Sequence, residues 1–231
     1  MTELLKLELR SAKVINRLSR FTVLIEYGKK KLKAQIRNTG RLLDLIYPDS
    51  NVLIQFKRGG TTNALIVGVK VDTGVVLVDT YLQAKSFELA CDLNKISWLA
   101  PYRIVRREIK VNGSRIDYEL YAERLGKGYL ELKSAAYFSG GYAMYPDSPT
   151  LRGRRHILLM KELAKSARSI ITFIATHPLA VGFKPCESGD AFVARLLRDA
   201  KMHGVELRAV KICITNENII TLYDDNLPVY V

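Results

Sequence analysis

Apolar and polar side chains alternate along almost all of the first 80 residues. A period of two residues is typical of strands with one buried face, because successive side chains of a strand point to opposite sides. After about Thr80 the apolar period changes to 3.6 residues, first through Tyr81–Lys95, which predicts a helix there. The sequence therefore predicts a β-rich unit over residues 1–80 and a second unit, with both helices and strands, over residues 81–231.

The predicted strands of the first unit are separated by turn sequences rich in Gly, Pro, Asn and Asp. One short segment, Arg41–Tyr47, has helical spacing and lies between the third strand and the fourth. This order resembles the OB fold, a small five-stranded β-barrel with a helix between those two strands. The strand segments are LLKLELRSAKVI, FTVLIEYG, KLKAQIRN, NVLIQFKR, ALIVGVKVD and VVLVDT.

The chain is strongly basic, with a net charge of +13. Residues 1–85 contain 15 bases and only 7 acids, so the predicted barrel is the more basic part. This charge favours a polyanionic partner, and OB barrels often bind single-stranded nucleic acid; the alternative is a basic surface that serves solubility. Phe21, Tyr27 and Phe56 are candidates for base stacking or, alternatively, for the barrel core. The candidate phosphate-binding residues of the barrel are Lys29, Lys30, Lys31, Lys33 and Arg37.

In the second unit, a helix is followed by three strands, a second helix and a buried strand. That order resembles the core of the restriction-endonuclease-like, or PD-(D/E)xK, fold. A further helix that stops at Gly204 and a strand over Glu206–Thr215 complete the predicted elements. We therefore expect an α/β domain with a mixed central sheet. The three consecutive strands are YRIVRREIKV, RIDYELY and YLELKSAAYF.

Two acids and one amine lie in the second and third of these strands. Asp117, Glu131 and Lys133 each alternate with apolar residues, so all three are expected on the polar face of one hairpin. A turn at RLGKG that pairs Tyr121 with Tyr129 would place Asp117 opposite Lys133 and diagonal to Glu131, about 5 and 7 Å away. The sequence thus predicts that the three side chains meet in one pocket.

This pocket has the chemistry of a metal-dependent nuclease. Asp117, Glu131 and the peptide carbonyl of Leu132 are hard oxygen ligands that suit Mg²⁺ or Mn²⁺. Such a metal polarises a phosphoryl oxygen and acidifies the attacking water, and Lys133 would orient that water and offset the developing charge. We therefore predict Asp117, Glu131 and Lys133 as catalytic residues. The alternative is a solvated hairpin face, on which Asp, Glu and Lys are ordinary residues.

Basic side chains flank the predicted pocket. Ser148 is a good N-cap and Pro149 a good first helical residue, so a helix is predicted to begin there. Its free amides, together with nearby bases, would form an anion site; a basic helix surface is the alternative. The candidate residues are Arg152, Arg154, Arg155 and His156 in the helix, and Arg106, Arg107 and Arg115 in the strands before it.

Six short motifs occur in order over nearly the full chain: RNTGR (Arg37–Arg41), IVRREIK, GSRIDYEL, LELKS, YPDSP and RGRRH. In this combination the sequence resembles the sugar fermentation stimulation protein A family, in which an OB-like domain precedes a nuclease-like domain and which is linked to DNA binding. The resemblance implies Asp117, Glu131 and Lys133 as the nuclease-type triad. The sequence departs from the family pattern at Leu151, where Glu is usual, and at Ser134, where Asn is common. The resemblance also implies roles for Asn38, Thr39, Gly40, Arg152, Gly153 and Arg154, and Arg41 of the same RNTGR motif is a further candidate for nucleic-acid binding.

We therefore predict a DNA-binding protein that hydrolyses phosphodiester bonds with Mg²⁺ or Mn²⁺ and has little sequence preference. Two alternatives stay open: a non-catalytic DNA-binding regulator, and RNA binding through the barrel. The strandedness of the DNA is undecided, and a homodimer is compatible with the sequence. No apolar run approaches the roughly 18 residues that span a bilayer, and the three scattered cysteines fit a reducing compartment. A cytoplasmic location without a membrane partner is expected.

Overall fold

The alternating segments of the first unit form seven strands in the computed structural model, which describes residues 1–231. The strands are β1 (Thr2–Lys6), β2 (Arg10–Ser19), β3 (Thr22–Tyr27), β4 (Lys30–Gln35), β5 (Asn51–Phe56), β6 (Ala64–Val71) and β7 (Gly74–Leu77). Five of them pair in the order β4-β3-β2-β5-β6, and β4 also pairs in parallel with β6, from Ala34 with Ala64 to Gln35 with Leu65. This pairing closes the sheet, so the predicted OB-like barrel is confirmed.

Two details of the predicted barrel are wrong. The segment expected as one strand over Leu4–Ile15 is divided, because β1 ends at Lys6 and β2 begins at Arg10. The segment Arg41–Tyr47 forms a single turn, in which the Leu42 carbonyl accepts hydrogen bonds from the amides of Leu45 and Ile46. Leu42 has a φ of +51°, a value that a regular helix does not allow. The turn still fills the barrel core, since Leu42, Leu45 and Ile46 are buried there.

The second unit contains three helices and nine strands. They are α1 (Thr80–Asp92), β8 (Arg103–Val111), β9 (Ser114–Ala122), β10 (Gly126–Ala135), β11 (Tyr137–Ser139), β12 (Tyr142–Tyr145), α2 (Leu151–Leu163), β13 (Arg168–Ala175), β14 (Gly182–Pro185), α3 (Glu187–Met202), β15 (Glu206–Ile214) and β16 (Ile219–Asp224). The main sheet runs β7-β15-β13-β10-β9-β8, with β10, β13 and β15 parallel and β8, β9 and β10 antiparallel. The predicted mixed α/β sheet is confirmed.

The sheet carries α1 on one face and α2 with α3 on the other. Phe87 of α1 is fully buried in a core with Tyr118 and Leu130 of the sheet. Ile157 of α2 packs in a separate core with Phe173 of β13. No helix combines the length and the apolar character that crossing a lipid bilayer requires.

The first unit and the second unit are hydrogen-bonded to each other at two places. β7 pairs with β15 at Val75 and Ile214, and β1 pairs with β16 from Thr2 with Leu222 to Lys6 with Ile219. As a result, thirteen strands form one continuous sheet. The first strand of the chain is therefore bonded to the last strand rather than to the barrel.

The start of α2 differs from the prediction. Thr150, not Ser148, is the N-cap, and its Oγ1 accepts from the amide of Gly153 at 3.0 Å. The Thr150 amide in turn donates to Asp190 Oδ2 at 3.1 Å, which holds the chain extended through Thr150, so the helix begins at Leu151. The predicted stop of α3 is confirmed, since Gly204 follows the helix with a φ of +89°.

Candidate functional site

The β9–β10 hairpin has a different register from the one predicted. Lys127 pairs with Tyr121 and Tyr129 with Glu119, so the strands are shifted by two residues from a Tyr121–Tyr129 pairing. The cause is a three-residue turn, Glu123–Leu125, after which Gly126, with a φ of +76°, lies directly opposite Ala122. Carried further along the strands, this register places Asp117 across from Glu131 rather than from Lys133.

The shifted register still brings the three candidate side chains together. The Leu132 amide donates to Asp117 Oδ2 at 2.7 Å, and the Asp117 amide donates to Glu131 Oε2 at 3.3 Å. Lys133 Nζ donates to Glu131 Oε1. The side chains of Lys133 and Glu131 are only 10% and 2% exposed, so the pair lies in the protein and not on a solvated hairpin face.

The surroundings of this cluster shift the pKa values of its two acids in opposite directions. Burial, reinforced by the nearby Glu131 carboxylate, raises the pKa of Asp117 to about 6. Burial also raises the pKa of Glu131, but Lys133 and His156 lower it more, to about 2. For Lys133, burial lowers the pKa, yet Glu131, Tyr145 and Asp117 raise it more, so the net shift is upward. Lys133 is therefore an ammonium at neutral pH.

His156 of α2 belongs to the cluster, and the sequence placed it only among the bases that flank the pocket. It is buried, and its Nδ1 contacts Glu131 Oε1, while Lys133 Nζ lies 3.5 Å from the same nitrogen. The helical spacing contained this signal, because His156 falls between Gly153 and Met160 on the buried face of α2. Gly153 allows α2 to approach the end of β12 closely, since a side chain at position 153 would meet the Tyr145 hydroxyl and Thr150.

The RNTGR segment of the barrel touches the same region. Asn38 is buried, and its Nδ2 donates to the Val78 carbonyl at 3.0 Å and to Ser134 Oγ at 3.4 Å. The Leu42 amide donates to Asp147 Oδ2 at 2.8 Å. Ser134 follows Lys133 directly in β10, so the barrel makes contact one residue from the triad. Neither the contact of Asn38 nor the role of Asp147 had a local signal in the sequence.

Several predicted basic residues are held by acids. Arg37 Nε lies 2.7 Å from the Asp79 carboxylate, and Arg154 makes a two-pronged pair with Asp190 at 3.0 and 2.9 Å. The remaining pairs are Arg106 with Glu119 at 2.6 Å, Arg107 with Glu88 at 2.9 Å and Arg115 with Glu108 at 3.1 Å. These guanidinium groups have structural partners, so their charges are partly neutralised.

Other predicted basic residues are exposed and form no salt bridge. They are Lys29, Lys30, Lys31, Lys33 and Arg41 on the barrel, and Arg152 and Arg155 on α2. Thr39 and Gly40 lie between the two regions, with the Thr39 carbonyl accepting from the Arg20 guanidinium. Phe21 and Phe56 are 45% and 49% exposed, whereas Tyr27 packs partly against the barrel core. The basic barrel surface therefore also displays aromatic rings.

The donor set suits a divalent cation of the magnesium type. Nowhere does the structure gather three or more His, Cys, Asp or Glu side chains in a geometry that would hold a metal ion. Mg²⁺ commonly binds through one or two carboxylates and completes its shell with water and substrate phosphate. The Asp117 and Glu131 carboxylates lie on neighbouring strands, with Asp117 Oδ2 accepting from the Leu132 amide and Glu131 Oε2 from the Asp117 amide. Asp117 and Glu131 therefore fit such an ion by their chemistry.

Comparison with known proteins identifies the family. A model of the SfsA N-terminal OB domain matches residues 15–78, and a model of the sugar fermentation stimulation protein RE domain matches residues 81–218. The chain belongs to the sugar fermentation stimulation protein family. Homologs with that name from Archaeoglobus fulgidus and Pyrococcus furiosus are 40% and 38% identical, over 90% and 85% of both chains.

A solved structure of this family has the same fold. The structure of Pyrococcus furiosus SfsA in complex with Ca²⁺ superposes with a TM-score of 0.95 and 33% sequence identity, and covers 100% of both chains. The family membership and the two-part fold expected from the motifs are therefore confirmed.

Proposed function

We propose that this member of the family binds DNA, and that its hairpin pocket holds a divalent metal with which it hydrolyses phosphodiester bonds. The observation that carries the proposal is the buried convergence of Asp117, Glu131 and Lys133 on neighbouring strands of a nuclease-like sheet. Ca²⁺ in the Pyrococcus furiosus relative supports a divalent ion, since Ca²⁺ and Mg²⁺ both prefer oxygen ligands.

Each residue of the pocket has a definable task. Asp117 and Glu131 would hold the metal, which supplies polarisation of the phosphoryl oxygen and a more acidic attacking water. Lys133, kept protonated by its acidic neighbours, can donate hydrogen bonds to an oxygen of the scissile phosphate. His156 fixes the orientation of Glu131 through its Nδ1. Arg152, exposed in the first turn of α2, adds a cation near His156.

The DNA contacts are assigned to the exposed bases. Lys29, Lys30, Lys31 and Lys33 extend along β4 and the turn before it, where they can follow a phosphate backbone. Each phosphate contact should add about 0.7–0.9 to the slope of log affinity against log salt concentration. Steep weakening of binding with salt is therefore expected for the intact protein.

The test is a cleavage assay on labelled single-stranded and duplex DNA with Mg²⁺ or Mn²⁺. The wild type should cleave, while Asp117→Asn and Lys133→Met should lose at least 100-fold in rate, as is typical when a group that stabilises transition-state charge is removed. Glu162→Gln, which removes one exposed acid of α2, is the matched control and should cleave normally. No metal-dependent cleavage by the wild type would end the catalytic part of the proposal.

Two observations favour a second candidate, a non-catalytic DNA-binding regulator. Both oxygens of Glu131 already have partners, with Oε1 against Lys133 and His156, and Oε2 against the Asp117 amide. Leu151, at the position where Glu is usual in the family, is 73% exposed and supplies no ligand. This candidate predicts salt-sensitive binding without cleavage, and Asp117→Asn should bind DNA as well as the wild type or more tightly.

A further inference from the structure

A cleft of about 460 Å³ lies where the barrel meets α1. Its walls come from the ends of β4 and β5, from Leu65 of β6 and from the first two turns of α1, so neither unit forms it alone. We call it the barrel–helix cleft. Its side chains fall into three classes: cations (Arg37, Lys57, Lys85), aromatic rings (Phe56, Tyr81) and amides (Gln35, Gln55), over a floor that includes Leu7 and Leu82.

The charge of the barrel–helix cleft is positive, and no acid lines it. Arg37 is fixed by the fully buried Asp79, whose other oxygen accepts from the Leu82 amide at 2.8 Å and caps α1. That pair is close to neutral, so the net charge comes from Lys57 and Lys85. Lys57 Nζ is held at 3.0 Å from Gln35 Oε1, and Lys85 is exposed. Neither lysine has a carboxylate partner, so both can bind phosphate.

Two rings are presented to the solvent at this cleft. Tyr81 is 58% exposed, and the Arg37 guanidinium lies over its ring at 4.7 Å, which fixes the ring in place. Phe56 is 49% exposed and is held edge-on by Tyr27 at 5.2 Å. Large apolar rings that are both exposed and braced are suited to stacking on a flat partner at low entropic cost. The amides of Gln35 and Gln55 can pair with the polar edge of such a partner.

We propose that the barrel–helix cleft binds one or two unpaired nucleotides of a single strand, with bases on Tyr81 and Phe56 and phosphates on Lys57 and Lys85. Rings, amides and ammonium groups in one cleft match the base and phosphate of a nucleotide. The bases of a duplex are already stacked on one another, so the cleft selects single-stranded nucleic acid. The inference rests on the proposed nucleic-acid binding. It adds that the bound nucleic acid is single-stranded and that α1 contributes to the binding site.

The test measures how tightly the protein binds a fluorescent single-stranded DNA 12-mer and the matching DNA duplex. Excess chelator is present to prevent cleavage. Tyr81→Ala and Phe56→Ala should each weaken single-strand binding about 5- to 150-fold, the range of one base–aromatic stack, and leave duplex binding unchanged. Tyr81→Phe keeps the ring and should restore binding. Tyr47→Ala, which removes a tyrosine that is 53% exposed outside the cleft, is the matched control. Thermal unfolding of each variant verifies that it is folded.

A second pair of variants tests the phosphate contacts. Lys57→Gln or Lys85→Gln should reduce the slope of log affinity against log salt for the single strand by about 0.7. Lys201→Gln, an exposed lysine at the end of α3, should leave the slope unchanged. Single-strand binding by Tyr81→Ala and Phe56→Ala equal to wild type, or an equal loss for duplex, would overturn the inference while nucleic-acid binding stands. A wild type that binds neither probe would instead overturn the proposed function.

Discussion

Ionisation of Asp117 destabilises the folded protein, and this effect can be measured without any substrate. Its pKa is raised to about 6 in the folded protein, so the folded state binds the proton more tightly than the unfolded chain. The penalty is fully present above about pH 6 and disappears as the pH falls toward 4. One pKa unit corresponds to about 1.4 kcal/mol, so the ionised Asp117 costs on the order of 2–3 kcal/mol at neutral pH.

Asp117→Asn should therefore stabilise the metal-free protein. The asparagine oxygen can still accept from the Leu132 amide, and we expect a gain of about 1–2 kcal/mol in the free energy of unfolding at pH 7.5. The gain should shrink between pH 6 and pH 4. Urea denaturation in chelator across this range measures it, with Glu162→Gln as the control. A variant less stable than the wild type at pH 7.5 would contradict the assigned direction of the pKa shift.

Asp190 is a buried acid whose pKa shifts in the opposite direction, because hydrogen-bond donors surround its carboxylate. Its side chain is 1% exposed and accepts from Arg154 and from the amides of Thr150, Phe192 and Val193. Burial raises the pKa of Asp190, but Arg154 and the amides of Thr150 and Val193 lower it more, so the net shift is downward. Its stabilising contribution is therefore present at neutral pH and is lost as the pH falls through the lowered pKa.

Asp190→Ala should lower the free energy of unfolding by about 3–5 kcal/mol at pH 7, because it leaves Arg154 and three amides without their acceptor. Denaturation by urea measures the loss. Glu187→Gln, on the same helix but in an exposed pair with Arg198, should change stability by less than about 1 kcal/mol. Similar losses in the two variants would show that Asp190 has no special structural role.

At the scale of elements, α2 is positioned by close contact with the end of β12. Gly153 sits against the Tyr145 hydroxyl and the Thr150 side chain. In an ordinary helix, Gly→Ala stabilises by about 1 kcal/mol. Here we expect Gly153→Ala to destabilise by about 1–3 kcal/mol, because the added methyl group forces a shift of neighbouring atoms.

The same shift should move His156 away from Glu131 and lower any metal-dependent activity. Thermal unfolding and the cleavage assay, run together, measure both effects. Leu158→Ala, at a 48% exposed position of α2, controls for a change of helix surface. A stabilised and fully active Gly153→Ala protein would contradict this packing argument.

The helices and strands themselves were largely predictable from the sequence, because each follows from the spacing of apolar residues within its own segment. The strands of the barrel, α1 and the β9–β10 hairpin all follow from alternation or from 3.6-residue spacing. The hairpin register was missed by two residues, since it depends on Gly126 adopting a positive φ at the end of a short turn. The start of α2 was missed because a distant acid, Asp190, fixes the Thr150 amide.

The site was predictable only in part. Asp117, Glu131 and Lys133 were found because they alternate with apolar residues within two adjacent strands. The contact of His156 with Glu131 spans 25 residues, and that of Asn38 with Ser134 spans 96. Such contacts depend on how helices and barrel pack onto the sheet. Helical spacing places His156 on the buried face of α2, but no local pattern identifies Glu131 as its partner or Ser134 as the partner of Asn38. The sequence thus predicted that Asp117, Glu131 and Lys133 converge, but not the contacts that support them.

At the scale of the whole molecule, one sheet links the barrel to the second unit. The pairing of β1 with β16 and of β7 with β15 should make the two units unfold together. Trp98, the single tryptophan, packs near Phe87 in the second unit and reports on that unit alone. Its fluorescence and the far-ultraviolet circular dichroism should therefore give the same urea midpoint.

A mutation in the barrel core tests directly whether the two units unfold together. Ile54 is fully buried in the barrel core, and Ile54→Ala should cost about 2–5 kcal/mol. If the units unfold as one, the Trp98 transition should move to lower urea by the same amount as the dichroism transition. A Trp98 midpoint that stays at the wild-type value would show that the shared sheet does not couple the two units.

The central claim is that the hairpin assembles a divalent-cation site, and calorimetric titration of the protein with Mn²⁺ tests it most directly. The wild type and Glu162→Gln should bind one ion each, while Asp117→Asn and Glu131→Gln should lose that binding although they remain folded. Absence of Mn²⁺ binding at millimolar concentration, or equal binding by Asp117→Asn and the wild type, would contradict the claim.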